Sequence, residues 1–155
     1  MTLRVAISVL ALCALAACAP KLPDGVDQAA LDEAVARAVG SPSTCVVVER
    51  AEGGTVYRYG THTTCARSLP ACDAPGVTTI DAQLEAARKG VARTASCDTA
   101  EAASRGVAWA SGPLPVLDGK PDRKMVYGVF MEGADALSGR EAKRRLEAAF
   151  AKSGF

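Results

Sequence analysis

The sequence predicts an α+β domain with an antiparallel sheet, and three observations carry that prediction. Strand-like segments come in adjacent pairs, 45–49 with 55–59 and 106–112 with 125–131. Consecutive strands pair antiparallel more readily than they join parallel sheets. Helical stripes stand before, between and after the pairs. The expected order is αββαββα, with about four strands in two hairpins packed against two or three helices.

The first helix is expected from Asp27, a capping residue, to about Val39. Leu31, Val35 and Val39 recur every four residues, with Ala34 and Ala38 beside them. Gly40 and Pro42 stop it. Cys45-Val46-Val47-Val48-Glu49 is β-branched and short, as strands are. Glu52-Gly53-Gly54 turns the chain, and Thr55 to Tyr59 returns. On that second strand Val56 and Arg58 are expected to face one way, Tyr57 and Tyr59 the other.

Gly60 to Val77 shows no periodicity and reads as a loop. A loop of this length in a compact domain calls for a staple or a function. Ile80, Leu84, Ala87 and Val91 mark a second helix capped by Thr78 or Thr79. Asp98 to Glu101 suits one further helical turn. Gly106 to Gly112 reads as a strand, and 113–122 is a connection with three prolines. Met125 to Met131 is apolar almost throughout, like a strand covered on both faces. Ser138 and Glu141 match the capping box of a last helix. Its apolar face is Ala142, Leu146, Ala149 and Phe150; Lys143, Arg144, Arg145 and Lys152 form a polar side that reads as solvated.

Charge narrows the function classes. The chain carries 18 Lys+Arg against 17 Asp+Glu, so there is no basic excess to draw nucleic acid. Aromatic residues are 5% of the chain, too few to build stacking platforms for bases or sugars. No asparagine occurs at all.

The N-terminus is an address. Met1 to Arg4 is a short basic start, Val5 to Leu15 is apolar, and Leu15-Ala16-Ala17 leads into Cys18. The apolar run through Ala19 is about 15 residues, short of the ~20 that a spanning helix needs. A plain secretory peptide shares the three regions but requires no cysteine at the cleavage site. Leu15-Ala16-Ala17-Cys18 resembles the lipobox of bacterial lipoproteins. The resemblance implies cleavage before Cys18, a lipid on the Cys18 thiol, and a chain tethered outside the cytoplasm. Ala19 stands where aspartate commonly retains such proteins in the inner membrane, which favours the outer membrane, facing the periplasm. Residues 1–17 are then the signal peptide, 18–26 a mobile Pro-rich lipidated tether, and 27–155 one α+β domain.

Four further cysteines, Cys45, Cys65, Cys72 and Cys97, are an even set in an exported chain and point to disulfides. Three pairings are possible. Stapling the long loop favours Cys65–Cys72, with Cys45–Cys97 closing a larger loop worth about 4 kcal/mol.

The order of elements is similar to the α/β lobe of serine β-lactamases and penicillin-binding proteins. The similarity covers 26–59 and 104–150. Val107 to Gly112 resembles the strand ending in the family's Lys-Thr-Gly, and 126–134 with the capped helix resembles its last strand and helix. That resemblance implies terminal helices packed together on one face of the sheet. The family's chemistry is absent: no lysine stands three residues after a serine, and a Ser-x-Asn motif cannot exist without asparagine. Lys152-Ser153-Gly154 falls at a helix end instead of on a strand.

His62, Cys65 and Cys72 are of types that bind zinc or copper, but an exported chain oxidises its thiols first. Trp109, Tyr57 and Tyr59 read as core. No catalytic motif and no cofactor site is found. The expected function is therefore a non-catalytic binding or structural role in the cell envelope. The expected partners are the membrane, through Cys18, and an envelope protein or peptidoglycan. Two alternatives stand beside it: an inactive penicillin-binding-like module recognising peptidoglycan peptides, and a small metal or redox protein using His62, Cys65 and Cys72.

Overall fold

The computed structural model describes residues 20–98 and 106–155. The expected lipobox with Cys18, and most of the expected turn after Asp98, lie outside the described residues. Helix α1 runs Gln28–Val39, capped by Asp27, whose carboxylate accepts from the Ala30 amide at 2.7 Å. Strands β1 (Cys45–Arg50) and β2 (Thr55–Tyr59) form the first hairpin. A short helix α2 (His62–Cys65) and a small hairpin, β3 (Ser68–Pro70) with β4 (Val77–Thr79), follow. Helix α3 (Ile80–Arg88), β5 (Arg93–Asp98), β6 (Gly106–Pro113), β7 (Met125–Gly133) and α4 (Gly139–Lys152) complete the chain.

The main sheet is antiparallel, five-stranded, in the order β2-β1-β7-β6-β5. The α+β class stands, with differences in detail. There are five strands in the main sheet instead of four, a second two-stranded sheet, and four helices among the described residues. The span 60–77 is not an irregular loop; it holds α2 and the β3–β4 turn. Its strands are three residues each, too short to show a period. β5 reads Arg-Thr-Ala-Ser-Cys-Asp and has no apolar alternation, so only its pairing to β6 makes it a strand. Helix α3 ends at Arg88, and Val91 beyond it is exposed.

Both faces of the sheet are covered, which explains its near-continuous apolar strands. Helices α1 and α4 lie together on one face. There Leu31, Val35, Leu146 and Phe150 pack on Val46, Val48, Tyr127 and Val129. Helix α3 covers the other face, where Ile80 and Leu84 meet Val47, Trp109, Val126 and Phe130. Gly128 lets α3 approach: a Cβ there would sit 3.1 Å from Ile80 Cδ1. The register of β1 on β2 shifts after Val48, leaving Val56 unpaired. That bulge turns Val56 and Tyr57 into the same core, where strict alternation would have separated them.

Two contacts fix α4. Ser138 caps it by accepting from the Glu141 amide at 3.3 Å, but the expected return bond from Glu141 is not made. That carboxylate turns along the helix to Arg144 and Arg145. At Gly139 a Cβ would fall 2.5 Å from the Ala95 carbonyl oxygen and 2.6 Å from that of Trp109. The start of α4 therefore rests directly on β5 and β6.

Candidate functional site

The cysteines pair differently from the expectation. Cys45 bonds Cys65, and Cys72 bonds Cys97. The reason is the path of 60–77. The chain turns back after β2, and the single turn of α2 sets Cys65 beside the start of β1, with Cα atoms 5.1 Å apart. The extended β3 then carries Cys72 away to the edge strand β5, where its Cα lies 5.4 Å from that of Cys97. Cys45 and Cys65 are buried; Cys72 and Cys97 are half-buried. Each bond thus ties the peripheral segment to the sheet. Around the second bond, Asp73 accepts from Arg93 at 2.6 Å, and Trp109 Nε1 donates to the Pro70 carbonyl at 3.3 Å. The Arg93 guanidinium stands 5.3 Å from the Trp109 ring centre.

His62, Cys65 and Cys72 are not assembled as a ligand set. Both thiols are used in disulfides with different partners, and His62 is exposed at the start of α2. Among the described residues, no group of three or more His, Cys, Asp or Glu side chains could hold a metal ion. Trp109 and Tyr57 are buried in the core, and Tyr59 is half-buried against it.

The buried phenols are tied to acids on the overlying helices. Tyr57 donates to Asp32 of α1 at 2.9 Å, and Tyr127 donates to Glu147 of α4 at 2.8 Å. Burial first, and the adjacent carboxylate second, push both phenols above the ordinary tyrosine range. Lys143 closes the second group by donating to Glu147 at 2.5 Å. On the α3 side, Ser111 donates to Gln83 at 3.1 Å and Gln83 to Thr78 at 2.8 Å, so that small buried polar chain is satisfied.

The concave surface with the most distinctive chemistry lies between α1 and α4. It is a groove of about 330 Å³. Alanines floor it, Ala34 and Ala38 from α1 and Ala148 and Ala149 from α4. Small side chains one turn apart on α1, facing an adjacent pair on α4, leave an open channel between the helices. Arg37 rims one side; Arg144, Arg145 and Lys152 rim the other. Two carboxylates answer these four cations. Glu33 pairs with Arg37, and Glu141 holds both Arg144 and Arg145, at 2.6 and 2.7 Å. The two guanidinium groups draw the Glu141 carboxyl down to about 2, with Arg144 the larger influence. No salt bridge to Lys152 is formed among the described residues. The basic side of the last helix, expected to be simply solvated, is thus one wall of a groove. The missed residues are Arg37 and the facing alanines. Their signal, alanines at i and i+4 on α1 and an adjacent pair on α4, is visible only once the two helices are known to be neighbours.

Compared with protein-family models, curated proteins and solved structures, the chain matches none.

Proposed function

We propose that this chain is an exported cell-envelope lipoprotein with a non-catalytic binding role. The observation that carries the reading is the pairing of all four cysteines of the domain into disulfides. Such bonds persist in oxidising compartments, which agrees with the lipobox at Leu15-Ala16-Ala17-Cys18. Cys18 then carries the lipid and holds the domain to the outer membrane, facing the periplasm. No described helix is long and apolar enough to cross a membrane. The α1–α4 groove is the proposed binding surface, and its excess of cations suits an acidic segment of an envelope protein.

The test is intact mass after expression in a host that processes lipoproteins. The expected product begins at Cys18 and carries a diacylglycerol, and Cys18→Ala remains unprocessed. A chain cleaved elsewhere, or lacking lipid, overturns the reading. For the groove, Arg144→Glu with Lys152→Glu is expected to abolish crosslinking to the partner while leaving lipidation intact; unchanged crosslinking removes the groove from the proposal.

A second reading has its own observation. Helices α1 and α4 lie side by side on one face of an antiparallel sheet, an arrangement that the penicillin-binding resemblance also implies. In this reading the domain is an inactive relative that recognises peptidoglycan peptides. Binding of a muropeptide or a labelled β-lactam to the mature domain supports it, and failure of both ends it.

A further inference from the structure

The start of the domain does not behave as a free tether. Leu22 and Val26 are half-buried and pack against the α1–α4 core. The Asp24 carbonyl accepts from Arg123 at 3.3 Å, and Gly25 lies beside Gly154 at the end of the chain. Only Cys18 to Lys21 precede this docked stretch, a span of at most about 14 Å fully extended. A lipid on Cys18 therefore holds one defined end of the domain close to the bilayer.

That end is built by the loop 113–124, the C-terminal Phe155 and the β1–β2 turn. The Lys124 carbonyl accepts from the Ala51 amide at 2.7 Å, which brings the turn and the loop together. Phe155 is buried beneath the loop, lining the same small pocket as Leu114 and Met125. Pro113, Pro115 and Pro121 restrict the loop backbone. At its crest Val116 is 58% exposed. Val77 and Val91 are the other large apolar side chains so exposed among the described residues; Val77 belongs to β4, and Val91 follows α3 near the start of the loop, since Arg93 pairs with Ser111. Lys21, Lys120, Arg123 and Lys124 stand against Asp24, Asp118 and Asp122, so the surface carries one positive charge in excess.

We infer that the 113–124 loop is a second membrane contact, with Val116 at its crest entering the interfacial layer of the leaflet that holds the Cys18 lipid. The inference rests on the lipoprotein reading. A short docked tether makes this face the one presented to the bilayer. An apolar crest gains by leaving water there, while long cationic stems reach back to the headgroups. Because the local excess is a single positive charge, the contact depends little on anionic lipid or salt.

The experiment uses the mature lipidated chain in phosphatidylcholine vesicles that contain a photoactivatable phospholipid. Intact mass first reads the lipid on Cys18; after illumination, peptide mapping reads which residues touch the bilayer. The expected result is labelling of 113–124 severalfold above the rest of the surface, reduced by Val116→Ser and unchanged by added salt. Intact disulfide-linked peptides confirm that the variant is folded. A lipidated chain labelled evenly, or chiefly along the α1–α4 groove or α3, overturns the contact alone. A chain without the diacylglycerol overturns the anchor reading and, with it, the contact.

Discussion

Consider removal of each disulfide in turn, as Cys45→Ala with Cys65→Ala, and as Cys72→Ala with Cys97→Ala. The bonds close loops of similar length, with sequence separations of 20 and 25 residues. Chain entropy alone assigns about 3.3 kcal/mol to the first and about 3.5 kcal/mol to the second. Loop length therefore ranks the second bond slightly higher. Burial reverses that order. Cys45 is fully buried and Cys65 is 6% exposed, both inside the cluster under α3. Deleting one buried heavy atom from each costs about 1 kcal/mol apiece, as an Ile→Val change does. Cys72 and Cys97 are half-buried at the sheet edge, where neighbouring side chains and water can refill the space. The Asp73–Arg93 pair and the Trp109–Pro70 hydrogen bond also remain to hold that corner. The expected losses are about 5 kcal/mol for Cys45/Cys65 and about 3.5 kcal/mol for Cys72/Cys97. Urea unfolding of each double variant against the parent chain measures them. A domain of this size has about 5–15 kcal/mol in all, so the first variant stands near the edge of folding at physiological temperature. The pairing is read independently by non-reduced tryptic mapping, since Arg50, Arg58, Arg67, Arg88 and Arg93 place the four cysteines on separate peptides. A peptide joining Cys65 to Cys72 refutes the reasoning at its base. An equal or larger loss for the edge pair refutes the role given to burial.

Three further outcomes are expected. Gly139→Ala forces a Cβ against the carbonyl oxygens of Ala95 and Trp109, both backbone atoms of paired strands, and should cost about 3 kcal/mol in thermal or urea unfolding despite alanine's better helix propensity; a neutral effect would mean that α4 does not rest on the sheet there. Ser111→Ala leaves the buried Gln83 oxygen without its donor and should destabilise by about 1–3 kcal/mol, with Gln83→Leu added on top recovering part of the loss. Glu141 has a folded carboxyl pKa of about 2 because Arg144 and Arg145 bond to it. Its contribution is therefore present above the unfolded value near ~4.3 and is lost as pH falls from there toward the folded one. Acid titration of stability should be shallower in Glu141→Gln and in high salt; identical profiles would show that the two arginines do not hold this carboxylate in solution.

Much of the architecture is written in local signals. Asp27 and Ser138 cap α1 and α4 because their side chains accept from amides that the first helical turn leaves open, and neither bond needs a distant partner. Gly53-Gly54 between two β-branched runs specifies a hairpin for the same reason, and the apolar run 125–131 announces a strand with both faces covered. The resemblance of Leu15-Ala16-Ala17-Cys18 to a lipobox likewise rests on a few consecutive residues. The capping box at Ser138 shows where local legibility stops: Glu141 has a competing choice, and Arg144 and Arg145 win it.

Long-range contacts decided the rest. Arg93 to Asp98 has no strand period of its own and is held in place by pairing to β6, the Cys72–Cys97 bond and the start of α4. The disulfide partners depended on α2 and β3 steering Cys65 and Cys72 in opposite directions, a matter of chain path that spacing does not encode. The basic groove required α1 and α4 to be neighbours, although more than a hundred residues separate their starts. The docking of Leu22 and Val26 required a core for them to reach. Caps, turns and hydrophobic periods act within a few residues and so are visible in order along the chain. Partner choice, edge strands and surfaces shared between elements arise only when the folded core brings distant residues together.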